Sequence, residues 1–372
     1  MRLIFLILIM AIYSSDILAS RSRMYSLGQD PHRGSYYVDD DRNIFRNPAD
    51  INLYKKYVTM ELEFIPKGDS ALSLVPQGGY FTQIGKTPVG IYLGQGLAEG
   101  VLIEEDAFDA TPTNYLLTAA DSNPVTFFIG GESGFEWGLD LRIANAKRTI
   151  GGSKSTYQAL GATLGFNIKD FQIYGKYGFR DISRVTGSND LENGTYNGSG
   201  FIAGIIYKLK HTTLLIDLMG GSIDLSGRSD LDQNGKGKAD RLTLGLGHIY
   251  EIDKTQRLNF NLNYEVTKTE NSIKDENITE TNLPLVLGLE VDATSWLIFR
   301  GSVVQNFIIG KEKIERGGTT EVVPSPANGA KVNFGATFNF GKLKVDGNLG
   351  MDNLSLFNLN AFFANASFTY WY

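Results

Sequence analysis

Residues 258–266 read LNFNLNYEV, and every second side chain is apolar. Leu258, Phe260, Leu262, Tyr264 and Val266 share one face; Asn259, Asn261, Asn263 and Glu265 share the other. Such alternation marks a β-strand with one apolar and one wet face. The pattern recurs at Val332, Phe334, Ala336, Phe338 and Phe340, at Phe135, Trp137, Leu139, Leu141 and Ile143, and at Leu283, Leu285, Leu287, Leu289 and Val291. Looser versions cover 171–181, 198–210, 213–223 and 240–252. Runs this long exceed the five or six residues usual in a soluble sheet and suit tilted strands crossing a bilayer, which need about 9–11. Leu, Phe and Val are compatible with lipid, whereas Asn, Asp, Glu, Lys and Arg are costly there, so the polar face must line a watery interior.

The connections agree. Short polar turns at 169–170, 211–212, 253–255, 293–295 and 341–342 alternate with long polar loops at 182–197, 224–239, 268–281 and 310–329. That asymmetry belongs to outer-membrane barrels, whose long loops face outside the cell. The expected fold is all-β: a single antiparallel transmembrane barrel of about 14–16 strands over residues 53–372. The final segment places Phe368, Tyr370 and Tyr372 on one face. It resembles the terminal signal that the barrel assembly machinery recognises, and an interfacial aromatic anchor explains it equally well.

Composition excludes other classes. The chain of 372 residues has no Cys, which removes disulfides, thiolate metal sites and a thiol nucleophile. A net charge of −6 argues against a nucleic-acid partner. Residues 1–20 combine Arg2, an apolar run from Leu3 to Ile12, and small residues at Ala19 and Ser20, the make-up of a signal peptide. With three His, none placed beside a nucleophile, no enzyme activity is expected. His248 falls on the apolar face of 242–252, which predicts a register change near Gly247.

Residues 21–52 carry too much charge for a lipid-facing strand. They are expected to fold into or under the barrel, with Asp39, Asp40, Asp41, Arg42 and Arg46 pairing with inward charges, or else to form a disordered periplasmic arm. Here the sequence RMYSLG (23–28) precedes DDRNIFRNPA (40–49). The arrangement resembles a group of Gram-negative outer-membrane proteins, and its Asn-Pro-Ala piece is similar to the start of FadL-type barrels. That resemblance implies a plug inside the pore and a hydrophobic cargo. FadL-type chains have fewer strands than the roughly 16 counted here and an apolar pocket, whereas these inward faces read polar. The chain also resembles PopA-like porin-type barrels, which implies an oligomer that encloses lipid.

Alternation nominates pore-lining charges: Glu136, Asp140, Glu265, Glu290 and Asp346, opposed by Arg142, Lys176, Arg180, Arg300 and Lys344. Opposed acidic and basic rows would set a transverse field in a water-filled channel. The leading expectation is therefore passive diffusion of small hydrophilic solutes or ions, with FadL-like transport and a lipid-organising barrel as alternatives. An acidic loop at 97–124, with Glu104, Glu105, Asp106 and Asp109, would favour cations if folded inward. No cofactor is required. The loop at 230–240 spaces Asp230, Asp232 and Asn234 like the first half of a calcium loop, with Asp240 as a weak further ligand, although Arg241 stands where a Glu is needed. A plain polar hairpin explains the same residues. Outer-membrane lipid is the expected surrounding, and the Gly-rich, Phe-rich outer faces permit a homo-oligomer.

Overall fold

The computed structural model describes residues 20–67, 71–95, 123–150, 152–186, 194–226, 235–272, 275–307, 311–316, 319–324, 330–351 and 365–372. The signal-peptide expectation and the 97–122 part of the acidic loop lie outside them. The strands are β1 (Tyr57–Lys67), β2 (Ala71–Ile84), β3 (Thr87–Leu93), β4 (Val125–Glu132), β5 (Glu136–Ile150) and β6 (Ser153–Ile168). They continue with β7 (Phe171–Thr186), β8 (Gly194–Leu209), β9 (Thr212–Ser226), β10 (Gly235–Glu251), β11 (Gln256–Asn271) and β12 (Glu276–Thr294). The last are β13 (Leu297–Phe307), β14 (Lys311–Arg316), β15 (Thr319–Pro324), β16 (Lys331–Phe340), β17 (Leu343–Met351) and β18 (Asn365–Trp371).

Each wall strand pairs antiparallel with the next, β13 passes to β16, and β18 returns to β1 through the register Tyr57↔Trp371 to Glu63↔Asn365. The result is a closed barrel of 16 strands. Closure matters because hydrocarbon offers no partner to an unpaired backbone group. The remaining two strands, β14 and β15, form a hairpin inside the segment expected as a loop, and β14 pairs with Glu276–Thr279 of β12. Strand pairing continues past the bilayer into other long connections too, so β12 reaches 19 residues.

The two faces separate as alternation requires. On β5, Leu139, Leu141 and Ile143 are exposed to the outside, while Asp140 and Arg142 between them are buried in the interior. On β11, Asn259 and Asn261 are buried and Tyr264 faces out. At the short-turn end Phe135, Phe171, Tyr250, Trp296, Phe340 and Tyr372 form an outward aromatic girdle, the position that such rings take at a membrane interface. A closed barrel with this belt spans a bilayer, and the chain resides in a bacterial outer membrane.

Two local expectations are corrected. Alternation through β10 is unbroken, with continuous register against both β9 and β11, so no bulge forms near Gly247. His248 faces outward near the short-turn end and its ring shares a 2.9 Å hydrogen bond with the Thr212 hydroxyl. A bulge does form on β7, between Gly178 and Asp181, opposite Leu160 and Gly161. It inverts the parity of β7, so Arg180 turns outward beside Phe179 instead of lining the pore, and Asp181 and Ser183 face the interior. Ten residues above the turn at a strand rise of about 3.3 Å and a tilt near 40°, Arg180 stands about 25 Å up the wall, where its guanidinium reaches the outer headgroup region.

Leu141→Lys places an ammonium on the lipid face near mid-wall. It is expected to lower refolding stability in lipid vesicles by about 2–4 kcal/mol in a urea titration, whereas Leu141→Val leaves the midpoint nearly in place.

Candidate functional site

The interior is occupied by the chain's own N-terminal segment. A short helix, Arg21–Ser26, is capped by Ser20, whose hydroxyl accepts from the Arg23 N–H at 3.1 Å. Two 3-10 turns follow, Asp41–Phe45 capped by the Asp40 carboxylate and Pro48–Asn52 capped by the Asn47 side chain, with Pro48 at a first-turn position where no N–H is missed. Met24, Asp40, Asn47 and Ala49 are fully buried. The helix packs against β13, β16, β17 and β18, and the Pro48–Asn52 turn packs against β3, β4, β5 and β6, so the segment reaches from one wall to the opposite one.

Its seat is cut from glycine. Gly130, Gly138 and Gly165 face one another across β4, β5 and β6. A Cβ on Gly138 would lie 2.1 Å from the Pro48 carbonyl oxygen, one on Gly165 1.9 Å from Asn47 Oδ1, and one on Gly130 2.5 Å from Ile51. Only hydrogen at these positions lets the Asn-Pro-Ala element approach the wall. The contact is then fixed by polar bonds: Asn47 donates to Asn167 at 2.7 Å, and Asn167 donates to both Asp50 and Glu136 at 2.9 Å. A second slot holds Tyr37, whose ring lies where a Cβ on Gly247 would stand and whose hydroxyl donates to Asn263.

Ion pairs lock the other end. Arg23 binds Glu290 at 3.0 Å and Asp40 at 2.9 Å. Glu290 is shared with Arg300 and, at 3.0 Å, with Arg257, and Arg300 reaches Asp346 at 3.3 Å and the Thr337 hydroxyl. A separate hub forms on Arg42, which donates to Glu61 at 2.8 Å, to the Tyr92 hydroxyl and Gln95 at 2.9 Å, and to the His32 carbonyl at 3.2 Å, while lying 4.3 Å from the Phe45 ring centroid. Burial opposes a charge on Arg23, but Glu290 and Asp40 outweigh it and raise its pKa. Burial, then the Arg21 guanidinium, lowers His32 to about 3, so this ring stays neutral. Burial and the adjacent Asp40 push the Asp41 carboxyl well above the carboxylate range.

Several expected pore-lining charges meet around this plug. Glu290, Arg300 and Asp346 join the Arg23 network; Lys344 lies 5.7 Å from the Trp371 ring centroid; Glu136 holds Asn167. Asp140, Arg142 and Lys176 are buried on the interior face, with Arg142 donating to Thr126 at 3.3 Å, and Glu265 is half-buried there. They do not form opposed rows across open water at this level, because the plug intervenes. Asp230, Asp232 and Asn234 lie outside the described residues; Asp240 belongs to β10 and pairs with Lys238 at 2.5 Å. Among the described residues no three His, Cys, Asp or Glu side chains gather as a metal site. Phe368, Tyr370 and Tyr372 share the outer face of β18, and the Tyr372 hydroxyl donates to the Phe81 carbonyl at 2.9 Å. Glu61 and Tyr92 were missed, although alternation of Val58, Met60 and Leu62 assigns Glu61 to the interior. For the glycine seat, the signal was present only as glycines on interior parities of three consecutive strands.

No protein-family model matches the chain, and no curated protein is similar to it. Solved structures of similar shape include the toluene transporter TodX of Pseudomonas putida, at 10% identity and TM-score 0.39 over 95% of each chain. The CymD monoaromatic hydrocarbon channel is 10% identical with a TM-score of 0.38, covering 89% of this chain and 92% of that one. A bacterial polysaccharide outer-membrane secretin gives 6% and 0.44 over 85% and 97%. Likeness at this level says nothing of what passes through the barrel.

The raised Asp41 pKa has a definite sign. Its favourable contribution is complete below the ordinary carboxylate range and is lost as pH climbs through the raised value, because ionisation then costs the folded plug. Asp41→Asn is expected to increase hydrogen-exchange protection of residues 21–52 at pH 8 and to leave it nearly unchanged at pH 4.

Proposed function

We propose that the chain is a plugged outer-membrane transporter for small apolar molecules, not an open channel for hydrophilic solutes. The single observation that carries this reading is the buried N-terminal segment lying from wall to wall across the lumen. A passage filled by side chains at that level conducts only when the segment moves. Its rim is apolar on one side: Ile44 and Phe45 of the plug pack against Tyr57, Phe81, Tyr92, Phe128 and Trp371 of β1–β4 and β18. The Tyr57 and Phe81 rings stack at 4.4 Å, and Phe45 meets Tyr92 edge-on at 4.8 Å. When the plug shifts, these rings become an apolar surface for a cargo that water does not carry. Passage is then downhill, with no chemical step; the plug discriminates by requiring that cargo binding offset the loss of its own contacts.

Planar-bilayer conductance tests the reading. The native barrel is expected to insert and stay nearly silent, and Gly165→Leu, which drives a side chain into Asn47, is expected to open stable steps. Large stepwise openings from the native protein would return the open diffusion pore to first place.

A further inference from the structure

Most buried arginines near the plug have a carboxylate partner: Arg23 has Asp40 and Glu290, Arg42 has Glu61, and Arg300 has Glu290 and Asp346. Three others on the other side of the lumen, Arg46 buried and Arg33 and Arg241 half-buried, do not. Arg33 and Arg46 come from the N-terminal segment and Arg241 from the interior face of β10, and no carboxylate of the described residues lies within ion-pair distance of any of them. Arg46 is 5% exposed, and its Nε and Nη1 have no hydrogen-bond partner; its guanidinium stacks 4.8 Å from the Tyr36 ring centroid. Arg241 Nε likewise lacks a partner. Arg33 and Arg241 point at one atom, the sulfur of Met219, at 3.8 Å and 3.1 Å. A thioether is a weak acceptor, and it does not neutralise two guanidinium groups.

Acidic side chains face this cluster from the plug, where Asp50 stands near Arg46, and from the wall. Asp217, beside Met219 on β9, accepts the Tyr174 hydroxyl at 2.5 Å, and Glu265 lies one strand further on. Asp217 is attracted to all three arginines and its Oδ1 has no hydrogen-bond partner, yet none of these carboxylates lies within ion-pair distance of Arg33, Arg46 or Arg241. The Tyr36 phenol records the same crowd: burial raises its pKa, as does Asp217, while Arg46, Arg33 and Arg241 pull it down. Buried guanidinium donors without acceptors are costly, and they are arranged in forks that match the geometry of an oxyanion.

We propose that Arg33, Arg46 and Arg241 form an oxyanion site in the lumen, floored by Tyr36 and Met219. The ligand is a phosphate, sulfate or carboxylate group, either as a free anion or as the head of an amphiphile. Charge-assisted guanidinium forks, two from the plug and one from β10, then grip one ligand, so the anion ties the N-terminal segment to the wall. The site stands apart from the apolar-cargo reading and persists if the barrel carries hydrophilic solutes instead.

Calorimetric titration of the purified barrel in a non-ionic detergent at low salt tests it, with inorganic phosphate and monododecyl phosphate as probes. Saturable binding is expected, weakened about tenfold or more in Arg46→Gln and in Arg241→Gln, since each removes charged hydrogen bonds. Lys254→Gln, in a short turn, should bind as the native protein does. Binding of both probes identifies a free-anion site, and binding of the dodecyl ester alone identifies a headgroup site. Heat-modifiable gel migration reports folding; if Arg241→Gln does not fold, Arg241→Lys keeps the charge without the fork and should still bind more weakly. Without anion, Arg46→Gln should melt no lower than the native barrel, because it relieves like-charge repulsion, whereas a merely structural arginine would lower the melting temperature. Failure of both probes to bind, or equal binding by the folded variants, overturns the site.

Discussion

Hydrocarbon supplies no hydrogen bonds, so a β-structure that crosses it must pair every backbone group within itself. The β18–β1 ladder meets that demand by closing the sheet. Closure creates an inside, and alternation then sends polar side chains inward on every strand. At 16 strands that inside is wide enough to hold water or another piece of chain. This chain fills it with residues that precede the first strand.

Filling a polar lumen differs from filling an apolar core. Buried charge is tolerable only when paired, and removing one partner of such a pair costs about 3–5 kcal/mol. The Arg23–Glu290–Arg300–Asp346 chain and the Arg42–Glu61–Tyr92 hub meet that condition by setting one plug arginine each against groups of the wall. Such contacts specify one docked position sharply. They are also reversible, because every partner is an ordinary side chain that water in the lumen can solvate once the plug departs. The glycine seat adds shape to this charge code: Gly138 admits the Pro48 backbone and Gly165 the Asn47 side chain at distances no other residue would allow.

The barrel was legible because its signal has a period of two and repeats on many strands. LNFNLNYEV alone assigns Asn259 and Asn261 to the interior. Arg180 was misplaced because a bulge is an insertion of one residue in a ladder, and its trace in GKYGFRDIS (175–183) is slight: unbroken alternation would set Asp181 against lipid and turn Ile182 inward. His248 erred in the opposite sense: a polar ring on the outer face suggested a bulge, yet near the short-turn end it meets Thr212 at an interface. Glu290, Arg300 and Asp346 could be assigned to the lumen from sequence, but their partner Arg23 is 267 residues away from Glu290, and pairing at that separation leaves no local trace.

The central claim is that the N-terminal segment closes the lumen and must move for anything to pass. The absence of native cysteine makes a direct test clean. The Ser22 and Ser367 hydroxyls are 3.2 Å apart, one on the plug helix and one on β18, so Ser22→Cys with Ser367→Cys places two thiols within bonding reach. Uptake of a radiolabelled small aromatic hydrocarbon into vesicles bearing the oxidised double variant should fall to the background of empty vesicles and recover on reduction. Equal uptake in the oxidised and reduced states, with the cross-link verified, would contradict the account.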